Sequence, residues 1–405
     1  AHVGNLRSYV FADILRRTLE YLGFEVTQVV NITDIGHLTS DADTGDDKML
    51  KGLKREGLPL SLDGLKELGD KYEDAFKQDL EALNIETPHH FPRATKYLKE
   101  DIELVQKLEK AGVAYKLEDG LNFDTGKLKD YGKLGRLTPL GEGIARVDSE
   151  EKKNPRDFVL WKLSKEDHLG FSSPWGLGFP GWHLECSVMS KVILGQPFDI
   201  HTGGIDHIPV HHTNEIAQSE SAHNAPLANF WLHNEFLTLT DGPAGQTNGA
   251  SKMAKSEGNQ IILNTLVEKG FSPVAYRYFL LLAHYRTPIS FSWQALEAAQ
   301  NAYRKLKEIF ASLIRANGRI NESYKKDFQG ALENDLNTPE ALVIVWKLVK
   351  DEAVSPSDKR ATLLDFDQVL GLNLLKNEFL DIPKNILELG EKRKLAKDKE
   401  NFQEA

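Results

Sequence analysis

Four groups of residues in this sequence carry side chains suited to chemistry. His2-Val3-Gly4-Asn5 stands at the start of a predicted helix. A helix N-terminus offers free N–H groups and the positive end of its dipole, and Gly4 permits close approach of a phosphate or a flat base. His2 and Asn5 add donors to a phosphate. Alone, the four residues also fit a polar turn ahead of a core helix. Lys252-Met253-Ala254-Lys255-Ser256 lies in a loop rich in glycine, serine and asparagine, Asp241 to Asn259. Two lysines there can close on a triphosphate and neutralise charge developing at its α-phosphorus and leaving pyrophosphate. An ordinary solvated basic loop is the plainer reading.

The third group, His201-Thr202-Gly203-Gly204-Ile205-Asp206, follows a predicted strand. Its two glycines let a purine pack on backbone, and Asp206 can bind ribose hydroxyls. A strand-ending turn is the alternative. The fourth group is Cys186 with His211 and Glu215. His211 and Glu215 are four apart, so on a helix after Pro209 both side chains share one face. Cysteine, histidine and glutamate all bind Zn²⁺, and three protein ligands plus an open position is a catalytic-site pattern. A lone cysteine is more often a small buried hydrophobe, and nearby His207 and His212 leave the choice of ligand open.

The elements that must position these groups show in the periodicity. Apolar residues at Val10, Phe11, Ile14, Leu15, Leu19 and Leu22, closed by Gly23, predict a helix after Asn5. The β-branched run Val26 to Thr33 predicts a buried strand. Helix, glycine and apolar strand make the second half of a βαβ unit, so a parallel sheet is expected, with its first strand before residue 1. Phe198 to His201 is a further strand candidate. From Ser292 to Gly371 the period is helical, with Leu306, Phe310, Leu313 and Ile314 on one stripe and Leu342, Val345 and Leu348 on another.

Composition narrows the class. The 405 residues make room for roughly three domains. With 40% hydrophobic and 27% charged residues, a mostly disordered chain is excluded. No apolar run is long enough to span a membrane. The single cysteine excludes a disulfide framework and favours a reducing compartment, and the absence of an opening signal segment points to the cytoplasm. Net charge is -10, yet the 105 residues from Asn301 carry 18 basic and 18 acidic side chains, so the whole deficit lies in the first 300. A global basic signature for nucleic acid is absent; a local positive face is not excluded.

Taken together, His2-Val3-Gly4-Asn5 resembles the HIGH motif of class I aminoacyl-tRNA synthetases, and Lys252-Met253-Ala254-Lys255-Ser256 their KMSKS loop. The linking segments resemble the cysteinyl members of that class: Asn31-Ile32-Thr33-Asp34-Ile35, Pro180 to Ser187 with its Trp182-His183-Leu184-Glu185-Cys186 run, His211 to Gln218, and His284-Tyr285-Arg286. The likeness covers nearly the whole chain. It departs in residues 36–45, which interrupt a usually continuous run, in Ala254 for a serine, and in Phe179 where an arginine is common.

The resemblance implies an α/β fold, a Rossmann-like doubly wound parallel sheet with an inserted connective segment, followed by an α-helical bundle. Residues 1–65 and 160–240 would form the split catalytic domain and 66–159 the insert. Residues 241–290 would hold the lysine loop and stem-contact region, 291–385 a helical tRNA-binding domain, and 386–405 the start of a truncated C-terminal region. A chain trimmed at both ends is implied, with a fourth zinc ligand on the preceding strand. The implied reaction activates cysteine with ATP and Mg²⁺ and passes it to tRNA(Cys). His2, Asn5, Lys252 and Lys255 would be catalytic. His2, Gly4, Asn5, Gly203, Gly204, Asp206 and Lys255 would bind ATP. Cys186, His211 and Glu215 would bind Zn²⁺, and Trp182 would face the substrate. A monomer without membrane contact is expected. Two rivals share these motifs: a ligase joining cysteine to an amino-sugar, and a non-catalytic synthetase-like RNA-binding protein.

Overall fold

The computed structural model describes residues 1–35, 48–135, 152–164, 169–239, 251–252, 261–314 and 317–376. Residues 36–45 and the charged run from Glu391 lie outside them. The chain divides into two compact units, one of residues 1–263 and 283–290, the other of 264–282 and residues from 291 on.

The first unit opens with α1 (Val3–Tyr21), capped by the His2 side chain, which accepts from the Asn5 N–H. Val3, Leu6, Val10 and Ile14 form its buried stripe. Buried Arg7 fixes the helix laterally. Its guanidinium donates to the carbonyls of Phe236 (2.5 Å), His284 (3.4 Å), Tyr285 (3.3 Å) and Thr287 (2.6 Å). Phe11 stacks on Tyr285 at 4.5 Å. These contacts account for the His284-Tyr285-Arg286 segment as a brace for α1.

The strand expected over Val26 to Thr33 is not formed as a continuous strand. Only two parallel bridges stand there, Val29 to His90 and Ile32 to Arg93. Val30 and Ile32 donate to the carbonyls of His90 and Pro92, while His90 and Ala94 donate back to Gln28 and Ile32. The missing rung falls at Pro92, which has no N–H to give. Beyond it, buried Asp34 accepts from the Thr95 N–H at 2.9 Å and hydroxyl at 2.6 Å.

Helices α2 (Lys48–Glu56), α3 (Leu62–Ala82) and α4 (Leu98–Lys110) follow. Strands β1 (Ala114–Leu117), β2 (Gly120–Phe123), β3 (Phe158–Leu163), β4 (Phe171–Ser173) and β5 (Gly176–Pro180) form an antiparallel sheet in the order β1-β2-β3-β5-β4. Its core face carries Phe123 stacked on Phe158 at 4.9 Å. Phe179 is 9% exposed and meets Phe171 edge-on, which explains an apolar residue at that position.

After α5 (Trp182–Leu194) comes the unit that positions the site. Strand β6 (Phe198–Gly204), helix α6 (Thr213–His223) and β7 (Ala228–Asn234) make a parallel crossover, with Phe198 opposite Ala228 and Gly204 opposite Asn234. Helix α1 packs against both strands. Strands β8 (Leu237–Leu239) and β9 (Ser251–Lys252) pair antiparallel, Thr238 facing Lys252.

The second unit is helical: α7 (Leu263–Glu268), α8 (Pro273–Leu281), α9 (Trp293–Ser312), α10 (Glu322–Glu333), α11 (Thr338–Lys350) and α12 (Pro356–Leu370). Ser292, Asn321, Asn337 and Ser355 cap the last four, each side chain accepting a first-turn N–H. Leu342, Val345 and Leu348 are buried, as are Leu306 and Phe310. Ile314 is not: it is 58% exposed, because α9 stops at Ser312 and the stripe ends with it. Phe328 stacks on Phe366 at 4.0 Å in the core.

Candidate active site

The C-terminal end of β6 and the helices beside it bring Cys186, His211 and Glu215 together within the first unit. His211 lies in a π-helical turn, Ile208–His212, that runs directly into α6. The sequence spacing predicts one continuous α-helical face; the wider turn is the difference, and such turns concentrate at functional sites. His211 and Glu215 still converge, His211 Nε2 standing 2.7 Å from Glu215 Oε1. Cys186, one turn into α5, completes the group, with one ligand atom from each residue within 4.8 Å of the others.

These residues fit a zinc ion. Sulfur, imidazole nitrogen and carboxylate oxygen are its usual donors. Glu215 is 1% exposed, and its buried Oε1 meets the geometric criterion for a hydrogen bond with no described group, although it stands close to the His211 imidazole. His211 Nδ1 is engaged by His183 Nδ1 at 2.9 Å, the outer contact that orients metal-binding imidazoles.

Electrostatics at the group are strongly biased. Burial and the Glu215 and Glu185 carboxylates push the Cys186 thiol well above its ordinary range. Burial alone would also raise the Glu215 carboxyl, but the His201 and His211 imidazoles override it and hold it well below the usual carboxylate range. A dication between the three would reverse the penalty on the thiolate.

Further imidazoles and indole rings surround these three residues. His201 Nε2 lies 2.5 Å from Glu215 Oε2. His212 Nδ1 lies 2.8 Å from His233 Nε2. Burial, then His201, keeps the His212 imidazole neutral. The Trp182 ring lies 4.3 Å from that of His211, and Trp231 stacks on His201 at 4.7 Å. Seven of the chain's 13 histidines fall between His183 and His233, and that density is the signal for this cluster.

The phosphate and nucleoside candidates also gather. Gly203 and Gly204 end β6 where side chains leave no room: a Cβ at Gly203 would lie 2.7 Å from His212 Cε1, and one at Gly204 would lie 2.4 Å from Asp206 Oδ1. Ser8 of α1 lies 4.0 Å from the same Gly204 point, which sets the first turns of α1, with His2, Gly4 and Asn5, beside the strand end. Val3 donates to the Ile261 carbonyl at 2.8 Å, and His2 bridges Ile262. The chain leaving the lysine loop is therefore tied to the start of α1, and the chain entering it to β8 through Lys252. Lys255 and Ala254 lie outside the described residues.

The family model for the class I (C) tRNA synthetase catalytic domain matches residues 1–301. A cysteine–tRNA ligase of Burkholderia lata is 44% identical across the whole chain and 84% of its own length. One from Treponema denticola is 41% identical over 99% of this chain and 87% of that protein. Neither rival reading draws support from these relatives. Among solved structures, the methionyl-tRNA synthetase of Mycobacterium tuberculosis bound by methionyl-adenylate has a TM-score of 0.58 at 17% identity, covering 96% of this chain and 91% of that one, a likeness of fold. The chain belongs to the cysteine–tRNA ligases, within the class I aminoacyl-tRNA synthetases.

Proposed function

We infer that the chain recognises the thiol of cysteine at a Zn²⁺ held by Cys186, His211 and Glu215, within the ATP-dependent ligation of cysteine to tRNA that its family performs. The convergence of those three ligand atoms within 4.8 Å carries this reading. Cysteine and serine differ only in sulfur for oxygen, and a shaped pocket separates such near-isosteres by only ~10². Zn²⁺, when bound, supplies a preference for thiolate over alcohol. Trp182, beside His211, walls the same pocket.

In the activation step the cysteine carboxylate oxygen bonds to the α-phosphorus of ATP and pyrophosphate leaves. In the transfer step a ribose hydroxyl of the 3′-terminal adenosine of tRNA(Cys) bonds to the carbonyl carbon and AMP leaves. No covalent enzyme intermediate is required, so positioning and charge stabilisation carry the catalysis. We assign the ATP phosphates, with Mg²⁺, to His2, Gly4, Asn5, Lys252 and Lys255, and the nucleoside to Gly203, Gly204 and Asp206. The ties of Lys252 to β8 and of Ile261 and Ile262 to the start of α1 support this pairing of motifs. A cytoplasmic monomer belongs to the same proposal. Exchange of Cys186 for serine tests it. Bound zinc should fall, the Michaelis constant for cysteine should rise, and discrimination against serine should shrink. A Cys186→Ser protein that kept all three would overturn the ligand assignment.

A further inference from the structure

Glu215 has two oxygens aimed at two different histidines. Oε1 faces His211 on the Cys186 side, and Oε2 lies 2.5 Å from His201 Nε2. His201, His212 and Glu215 form a second group whose ligand atoms lie within 4.8 Å of one another. Two of the three, His212 and Glu215, are only 1% exposed, so most of the desolvation cost of a site there has been met in folding. The His212–His233 contact engages Nδ1 of His212 and leaves Nε2 for a ligand bond, and it is the kind of outer contact that steadies metal-bound imidazoles. Nε2 of His212 also borders the space kept open at Gly203, 3.0 Å from where a Cβ would stand.

We propose that Glu215 is a bridging carboxylate, and that His201, His212 and Glu215 form a second, weaker Zn²⁺ site beside the one built on Cys186. Two imidazoles and a carboxylate are a known three-ligand set for this ion and leave a position open. Ligand atoms ~2.0–2.1 Å from a tetrahedral ion stand about 3.3 Å apart, so the His201–Glu215 pair must open slightly and surrender its hydrogen bond. Only the Cys186 site offers a thiolate, the soft donor that selects Zn²⁺, which ranks the two affinities. Paired ions bridged in this way lie ~3.5–4 Å apart. An ion on His212 crowds the Gly203 end of β6, so excess Zn²⁺ inhibits adenylate formation. That consequence rests on the nucleoside reading above, whereas the site does not.

The test is metal stoichiometry in the whole chain, equilibrated in buffers of rising free Zn²⁺. One ion per chain is expected at the low end and two at the high end. His201→Asn and His212→Asn proteins should keep the first and lose the second, while Cys186→Ser should lose the tight ion and keep the weak one. Cobalt gives a second readout on the unmodified protein. The first equivalent should show a thiolate-to-metal charge-transfer band, and the second should add visible absorption without strengthening that band. Saturation at one ion, or a second ion retained by both histidine variants, overturns the proposal. If the variants fail to fold, as judged by far-UV circular dichroism, the cobalt titration decides alone: a second equivalent that fails to bind, or that strengthens the thiolate band, overturns it. A Cys186→Ser protein that held both ions would overturn the thiol-centred reading, and loss of the second ion in the histidine variants would still support this one.

Discussion

His223, at the last turn of α6, shows how one residue on the site's own helix sets a pH limit. Burial, with Lys191 and Lys107 nearby, lowers its pKa to about 4. Its ordinary value is about 6.5. Above pH 6.5 the ring is neutral whether the chain is folded or not, and the full stability is present. As pH falls from about 6.5 towards 4, the unfolded chain takes up the proton first, and stability declines through that window. Replacing His223 by glutamine should therefore shrink the fall in urea midpoint between pH 7 and pH 5. Equal falls in parent and variant would show that the imidazole titrates alike in both states. At this scale the sequence was informative about which residues matter. Cys186, far from the other two in the chain, stands within ligand distance of His211 and Glu215. The sequence was silent on the contact of His201 with Glu215, which reaches from strand β6 to helix α6 across 14 residues of chain, because a strand-to-helix contact leaves no fixed spacing to read.

Among elements, α1 depends most on a single side chain. Arg7 is 3% exposed and serves four carbonyls that come from Phe236 and the 284–287 segment. Replacing it by methionine keeps much of the volume but leaves those carbonyls without their charged donor. Backbone N–H groups of Ile289, Thr287 and Glu235 still serve the carbonyls of Phe236, His284 and Tyr285, so the loss centres on the Thr287 carbonyl, and about 1–3 kcal/mol is expected from urea unfolding. A loss under about 1 kcal/mol would mean that water replaces the guanidinium. Elements were legible where their own residues decide them: α1 and the four capped helices from Trp293 on follow their periodicity and cap residues. Val26 to Thr33 shows the opposite case. Its residues suit a strand, yet the ladder breaks at Pro92 of the partner segment, which nothing within the run itself discloses. The π turn at Ile208–His212 is similar: it ends on buried His211 and His212, and Pro209 stands at its start, where an α-helix would also accept it.

For the whole molecule the decisive quantity is charge. The first 300 residues carry 32 basic and 42 acidic side chains, while the remainder is balanced at 18 of each. Neither portion carries a net positive charge, so tRNA must be met by local positive faces, each lysine or arginine displacing condensed counterions from a phosphate. Such contacts weaken steeply with salt, by roughly 0.7–0.9 of a decade in affinity per contact for each decade of salt. Cysteine is instead a small zwitterion, read on the present proposal by buried ligands that screening scarcely reaches. The two substrates should separate in a salt series. Between 50 and 200 mM salt, the Michaelis constant for tRNA in aminoacylation should climb by ~10² or more if about five phosphates are held. Over the same range, the Michaelis constant for cysteine in ATP–pyrophosphate exchange should change by less than about twofold. If both constants rose together, salt would be acting on ATP or on the fold. If neither rose, tRNA docking would rest on shape and base contacts, and the acidic surplus of the first 300 residues would then carry no electrostatic cost for the enzyme.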